Sequence, residues 1–387
     1  MELFKASSQW STRPADQRFW TLPDMLTATQ SHRDSARQST VSYGAITVKP
    51  SGPDLLLVGS SAEATLTHYA TGQLCQRAAA PAEYIRSLPT ALAAECLNTS
   101  LAKRDPTDRA KLLLHQNGTL IARCLTGEGY ERIWNSEIVT ALCDLPTWRV
   151  PPARPAGISG EQTRIATAAD CLSDSAKFSL AIKPGDIIAP AGLYASDRDM
   201  FAFLIDDAHT ITNPLDPSTP LARGFFVWNS EVGDKSFGVT TFLYDAVCGN
   251  HIVWGAQNVQ EVRIRHTGTA RSRASYQLRC SLREYANSSA SDTQAQISAA
   301  QTFTLGATRE QTIDALVSFA ARKKISILNR GTFDAAFDLA AQTPRYGNPN
   351  TPWAISQAIT QTSQQEAYTN RRVALDRAAG KLLEIAF

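Results

Sequence analysis

Hydrophobic positions change their spacing along this chain, and the changes divide it. Over 83–104 the apolar residues Ile85, Leu88, Leu92, Cys96 and Leu97 recur close to helical spacing, which predicts one helix. The apolar runs 111–115 and 120–125 flank Asn117-Gly118. That dipeptide favours a two-residue type I′ hairpin turn, because both turn positions need φ > 0. A helix capped near Asn135 and running to about Asp144 is expected next. Two earlier strands, 43–48 and 55–58, are separated by a Pro-Ser-Gly-Pro turn.

Farther along, 163–285 reads as β-rich, with strands over 178–182, 201–206, 224–229, 238–247, 251–255 and 259–265. From about Thr293 the spacing is helical again. Ile313, Leu316, Phe319 and Ala320 mark one helix, 333–339 continues the pattern, Pro352 suits a first helical turn, and 371–385 forms a last helix. The expected organisation is an arm (1–50), an α/β lobe (51–145), a Pro/Gly-rich linker (146–162), a β-rich core (163–285) and a helical carboxyl-terminal region (286–387). The fold class is α+β: a central antiparallel β-sheet covered by helices, with an amino-terminal α/β lobe.

Composition narrows the setting. The 387 residues are 43% hydrophobic and 19% charged, the balance of a globular chain with room for more than one core. A net charge of +2 supplies no global field, so any cationic binding site has to be local. No apolar run approaches the roughly 18 residues that span a bilayer, and residues 1–10 lack the order of a signal peptide. Seven cysteines form no CxxC pair, and Cys96, Cys124, Cys143 and Cys248 sit in apolar runs. They read as small hydrophobes of a reduced, cytoplasmic protein with no membrane partner. Phosphate-loop, dinucleotide, zinc-protease and nucleophile-elbow motifs are absent, so no cofactor and no metal are expected and the balance leans away from an enzyme.

Two stretches carry candidate chemistry. Asn229, Ser230 and Glu231 end a strand, and Asn250 and His266 stand at later strand ends. Asn, Ser and Gly suit tight connections, but Glu231 is no ordinary turn residue, so these five either build the turns or line a cleft. Cys248 with His251 or His266 admits a nucleophile–base reading, against a buried inert thiol. Asp186, Asp197, Asp199, Asp206 and Asp207 are either oxygen ligands or ordinary loop acids. The second stretch is basic: Arg263, Arg265, Arg271, Arg273, Arg279 and Arg283, with Tyr276 among them. Arg263 and Arg265 share one strand face, and 269–273 reads as a flexible cationic loop. Such a strip tracks a phosphate backbone, with Tyr276 free to stack, or forms a solvated face paired with acids. Residues 1–50 add Arg13, Arg33 and Arg37 with Trp10, Phe19 and Trp20, which suits single-strand binding or a homo-oligomeric contact.

The segments RGFFVWNSEVGDKSFGVT (223–240), YDAVCGNHIVW (244–254) and RIRHTG (263–268) resemble the core of the domain of unknown function 932 family, and YGNPNTPW (346–353) resembles the opening of that family's late helix. His251 stands where many relatives carry glycine. The resemblance implies a phage- or plasmid-borne setting and a shared α+β domain, and no reaction. Together these observations lead to the expectation of a mobile-element protein binding nucleic acid, single-stranded DNA in particular. The alternatives are a metal-dependent nucleic-acid-processing enzyme using Glu231, Asp206 or His266, and a host-interaction protein presenting Trp10, Trp20 and Trp148.

Overall fold

A computed structural model describes residues 15–59, 63–145, 147–151, 153–156, 162–171, 182–190, 192–217, 220–245, 250–252, 262–363, 366 and 369–386. The chain opens with β1 (Arg18–Phe19), α1 (Leu22–Asp34), β2 (Ala36–Ser42), β3 (Thr47–Ser51), β4 (Asp54–Val58) and β5 (Glu63–Leu66). Helices α2 (His68–Arg77), α3 (Ala82–Ser87) and α4 (Thr90–Leu101) precede the hairpin β6 (Arg109–Asn117) and β7 (Thr119–Gly127), and α5 (Asn135–Cys143) follows. These strands form a six-stranded sheet ordered β2-β6-β7-β5-β4-β3, antiparallel except where β5 meets β7.

Several elements here differ from expectation. The stretch 1–50 is no arm over its described part. Thr21 accepts a hydrogen bond from the Asp24 backbone N–H and starts α1, while β2 pairs along its whole length with β6. The helix expected over 83–104 is two helices, because Pro89 forces Leu88 into an extended conformation (ψ 153°). The hairpin forms, but Asn117 faces Thr119 across Gly118 alone, and Gly118 supplies the left-handed φ of 70°. Its apex is therefore tighter than a two-residue type I′ loop.

Alternation along β6 and β7 gives the sheet two buried faces. Leu112, Ala122 and Leu125 pack under α2 and α4, whereas Leu113 and Cys124 join Trp134 and Val232 on the side of the next sheet. The register slips between Leu113 and Leu114: Leu113 faces Cys124, Leu114 faces Ala122, and Arg123 is the extra residue of a β-bulge.

The second half contains β8 (Arg154–Pro155), β9 (Arg164–Ile165), α6 (Ala168–Cys171), β10 (Ile187–Ala189), β11 (Leu193–Ala195), β12 (Met200–Ile211), β13 (Leu221–Asn229), β14 (Phe237–Asp245), β15 (Asn250–Ile252) and β16 (Val262–Ile264). Helices α7 (Ala270–Ala286), α8 (Ala290–Thr302), α9 (Arg309–Arg322), α10 (Arg330–Gln342), α11 (Pro352–Ser363) and α12 (Thr369–Leu382) complete it. The central sheet is ordered β1-β11-β12-β13-β14-β15, with β16 also on β14, and every pairing is antiparallel. The fold is α+β. Every residue of β13 is buried, since helices cover both its faces. Met200, Ala202, Phe225, Val227, Phe237 and Val239 face α1, α5 and α7. Phe201, Phe203, Phe226, Trp228 and Phe242 line the opposite face, which α12 approaches through Val373. Glycine matters at Gly238, paired with Trp228: a Cβ there would fall 2.0 Å from the indole ring.

Residues 146–162 were expected to be a linker, yet Trp148 is buried against Phe225 and Tyr285, and Arg149 bridges Ile205 in both directions. The aromatic ring anchors the segment to the central core, so Trp148 offers no partner surface. Expected strand positions 178–181, 253–255 and 259–261, together with Trp10, Arg13 and Cys248, lie outside the described residues. Cys143 is exposed rather than part of an apolar core. No helix among the described residues is long and apolar enough to cross a membrane.

Candidate functional site

The end of β13 turns its polar side chains inward. Asn229 Nδ2 donates to the Ile133 carbonyl at 2.9 Å and to Asn135 Oδ1 at 2.8 Å. Ser230 Oγ donates to the Arg198 carbonyl and accepts from the Asp234 backbone N–H, tying the turn together. Tyr130 donates its hydroxyl to the Ser230 carbonyl, and Gln73 donates to the Val232 carbonyl. Glu231, 1% exposed, faces the Arg123 guanidinium at 3.0 Å and accepts from the Asn135 backbone N–H at 2.9 Å.

That geometry explains a carboxylate at a turn. Trp134, at the N-cap of α5, offers no side-chain cap, and Glu231 takes that part from 96 residues away. A negative charge is stabilised at a helix N-terminus by the exposed N–H groups and the helix dipole. The cap expected near Asn135 is thus supplied from elsewhere. The carboxylate also neutralises the one cation that the bulge in β7 turns toward the central sheet. Asn229, Ser230 and Glu231 form a buried latch between the two sheets rather than an open cleft.

His266 is 5% exposed, stacks on Tyr130 at 4.9 Å and shares a hydrogen bond of 3.2 Å with the Glu131 carbonyl through Nδ1. Burial pushes its pKa down to about 4, so the ring is neutral at pH 7 and its place is structural. Asn250 begins β15 opposite Asp245. The Asp207 side chain lies outside the described residues, and the other acids form no metal-holding cluster. Ser196 donates to Asp199, Asp206 meets His209 at 3.0 Å, and Asp186 accepts from the Lys183 backbone. Among the described residues no group of three or more His, Cys, Asp or Glu side chains could hold a metal ion.

The arginines expected to form one strip lie on two faces. Arg263 sits over the Trp228 ring at 5.9 Å, on the aromatic side of the sheet, while its neighbour Ile264 packs with α7 on the other. The stretch 269–273 is not a loop: α7 begins at Ala270, because Ala270, Ala274, Leu278 and Leu282 bury a helical stripe against the sheet. Its outward side presents Arg273, Tyr276, Arg279 and Arg283, with Tyr276 70% exposed, and Arg271 is exposed at the helix start. Arg271 pairs with Glu137 at 3.0 Å and Arg279 with Asp144 at 2.7 Å. Arg265, Arg273 and Arg283 are exposed and form no ion pair among the described residues.

A cavity of about 320 Å³ lies between the sheets, next to the latch. Its walls come from the turn before β1, from β1, α1, β6, β7 and β11, and from the loop after β11, and include Gln17, Phe19, Ala28, His32, His115, Arg123 and Asp197. None of these but Asp197 and Phe19 stood out in the sequence. The available signal was Arg123, a lone charge inside the apolar run 120–125. His32 and His115 meet edge to face at 5.4 Å, and burial followed by the Arg123 charge lowers both pKa values. Burial raises that of Asp197.

A family model described as a domain of unknown function (DUF932) matches residues 185–383, just over half of the chain. The chain belongs to the DUF932 family. The DUF932 match takes in β10, the central sheet from β11 onward and the helices through α12, and so holds Glu231 and the outward face of α7. Arg123, α5 and most of the cavity wall lie outside it. The latch therefore joins the DUF932 region to the part of the chain before it. No curated protein matches the chain significantly, and no solved structure does.

Proposed function

We propose that the protein binds nucleic acid through the outward face of α7, with a single strand as the preferred form. The observation that carries this reading is the exposed row Arg273, Tyr276, Arg279 and Arg283, whose cations repeat at helical spacing around an aromatic ring. Guanidinium groups spaced along a helix can follow phosphates, and an exposed tyrosine ring accepts a stacked base. Arg279 is held by Asp144 only at the surface, where an ion pair is weak enough to exchange for a phosphate. The mobile-DNA setting implied by the sequence resemblance accords with this role. Arg263 is assigned no phosphate, since it covers Trp228 on the other side of the sheet.

Fluorescence anisotropy with a labelled single-stranded oligonucleotide, titrated over a range of salt, tests the proposal. Replacing Arg273, Arg279 and Arg283 together with alanine is expected to weaken binding and flatten its salt dependence by about 0.7 log unit per lost contact. Arg263→Ala is expected to bind as the parent does. Unchanged affinity in the threefold variant would sink the assignment.

A further inference from the structure

Two residues that line the cavity beside the latch each carry a buried polar atom without a hydrogen-bond partner. Arg123, 3% exposed, commits Nε and Nη2 to the Asp197 carbonyl and faces Glu231 with Nη2, but Nη1 has no hydrogen-bond partner. Gln17, 5% exposed, likewise leaves Oε1 without a partner. Buried donors and acceptors are nearly always satisfied in a native interior, so two orphans on one cavity wall need a reason. A β-bulge places Arg123 there, and bulges recur where a side chain has to be re-aimed toward a site. The volume sits at the small end of the range for small-molecule pockets.

The charge balance selects among ligands. Glu231 already neutralises Arg123 at 3.0 Å, burial and the Arg123 charge disfavour the charged form of both imidazoles, and Asp16 and Asp197 also line the wall, so a free anion meets no surplus of positive charge. The vacant valences ask for one acceptor, to meet Arg123 Nη1, and one donor, to meet Gln17 Oε1. Phe19, Ala28 and Ile121 supply apolar contact, and His32 and His115 supply ring faces and edges.

We propose that this cavity takes a nucleobase, its edge bonded to Arg123 and Gln17 and its faces packed against the apolar and imidazole wall. Flat heterocycles with adjacent donors and acceptors are recognised in this way, by edge hydrogen bonds and by stacking on aromatic or apolar side chains. The base arrives either as a free nucleoside or extruded from a strand. The assignment does not rest on the α7 face, which contributes nothing to this wall.

Calorimetric titration and thermal shift with adenosine, guanosine, cytidine and thymidine, and with ribose and inorganic phosphate as controls, test it. At least one nucleoside is expected to bind and raise the melting temperature, while ribose and phosphate do neither. Gln17→Leu removes the acceptor, and Ala28→Phe fills the cavity from a half-exposed helix position. Each is expected to weaken nucleoside binding by about tenfold or more. Should Gln17→Leu not fold, Ala28→Phe carries the comparison. The Arg273/Arg283 alanine variant is expected to keep nucleoside affinity whatever happens to strand binding, which separates this site from the α7 reading. Competition between nucleoside and oligonucleotide assigns the base to a strand, and absence of competition assigns it to solution. No nucleoside binding at millimolar concentration, binding of phosphate instead, or affinity unchanged in both wall variants would overturn the proposal.

Discussion

The end of β13 and the outward face of α7 both offer charged residues that look chemical in the sequence, and they occupy opposite extremes of solvent contact. Glu231 is 1% exposed and shared between a guanidinium and a helix N-terminus. Arg271 is exposed and meets Glu137 in water, where Arg33 reaches the same carboxylate at 3.3 Å. The comparison separates two uses of charge. In a dry interior an ion pair fixes one arrangement and is costly to break, because the surviving partner stays buried alone. At the surface the same chemistry contributes little and remains free to change partners.

The sharpest way to break that contrast is Glu231→Ala. It strands Arg123 and uncaps α5, and is expected to cost about 3–5 kcal/mol of unfolding free energy in urea titration. A loss under about 1 kcal/mol would mean that the strand end is as tolerant as the surface.

A second buried carboxylate tests whether burial or partnership decides the outcome. Asp376, on α12 and 3% exposed, faces the end of α11, with Ser363 donating to it and Arg372 at 4.0 Å. Burial pushes its carboxyl up to about 7. The folded chain thus keeps a proton that the unfolded chain, with a pKa near 4, gives up. The stabilisation is complete below about pH 4 and is lost as pH rises through about 7. Asp376→Asn stays neutral throughout. It is expected to melt roughly 2–4 °C above the parent at pH 8 and level with it at pH 4, read by scanning calorimetry. An equal gain at both pH values would remove ionisation as the cause.

The smallest effect belongs to the surface. Arg271→Ala is expected to change stability by no more than about 0.5 kcal/mol, and less at high salt, in the same urea titration.

The fold class was legible because the apolar runs at 201–205 and 225–228, of strand length, are strong buried-strand signals. Helix α1 was not. Its thirteen residues bury only Met25 and Thr29 fully, so its amphipathic signal is faint and tertiary packing against α5 and β11 holds it. The role of Glu231 depended on Arg123 and Asn135, about a hundred positions earlier, and nothing local announces such a partnership. The side of Arg263 depended on the register of β16 against β14. The cavity was illegible for the same reason: short pieces of several distant segments meet there, each ordinary by itself.

The bulge at Arg123 has a consequence for dissection of the chain. Excising residues 185–383 as an independent unit would free Glu231 from its counter-ion and from α5 together. The matched half therefore does not contain its own ground state. The intact protein should lose both sheets in one cooperative transition, with the buried Glu231–Arg123 pair as one rivet among the contacts that join them.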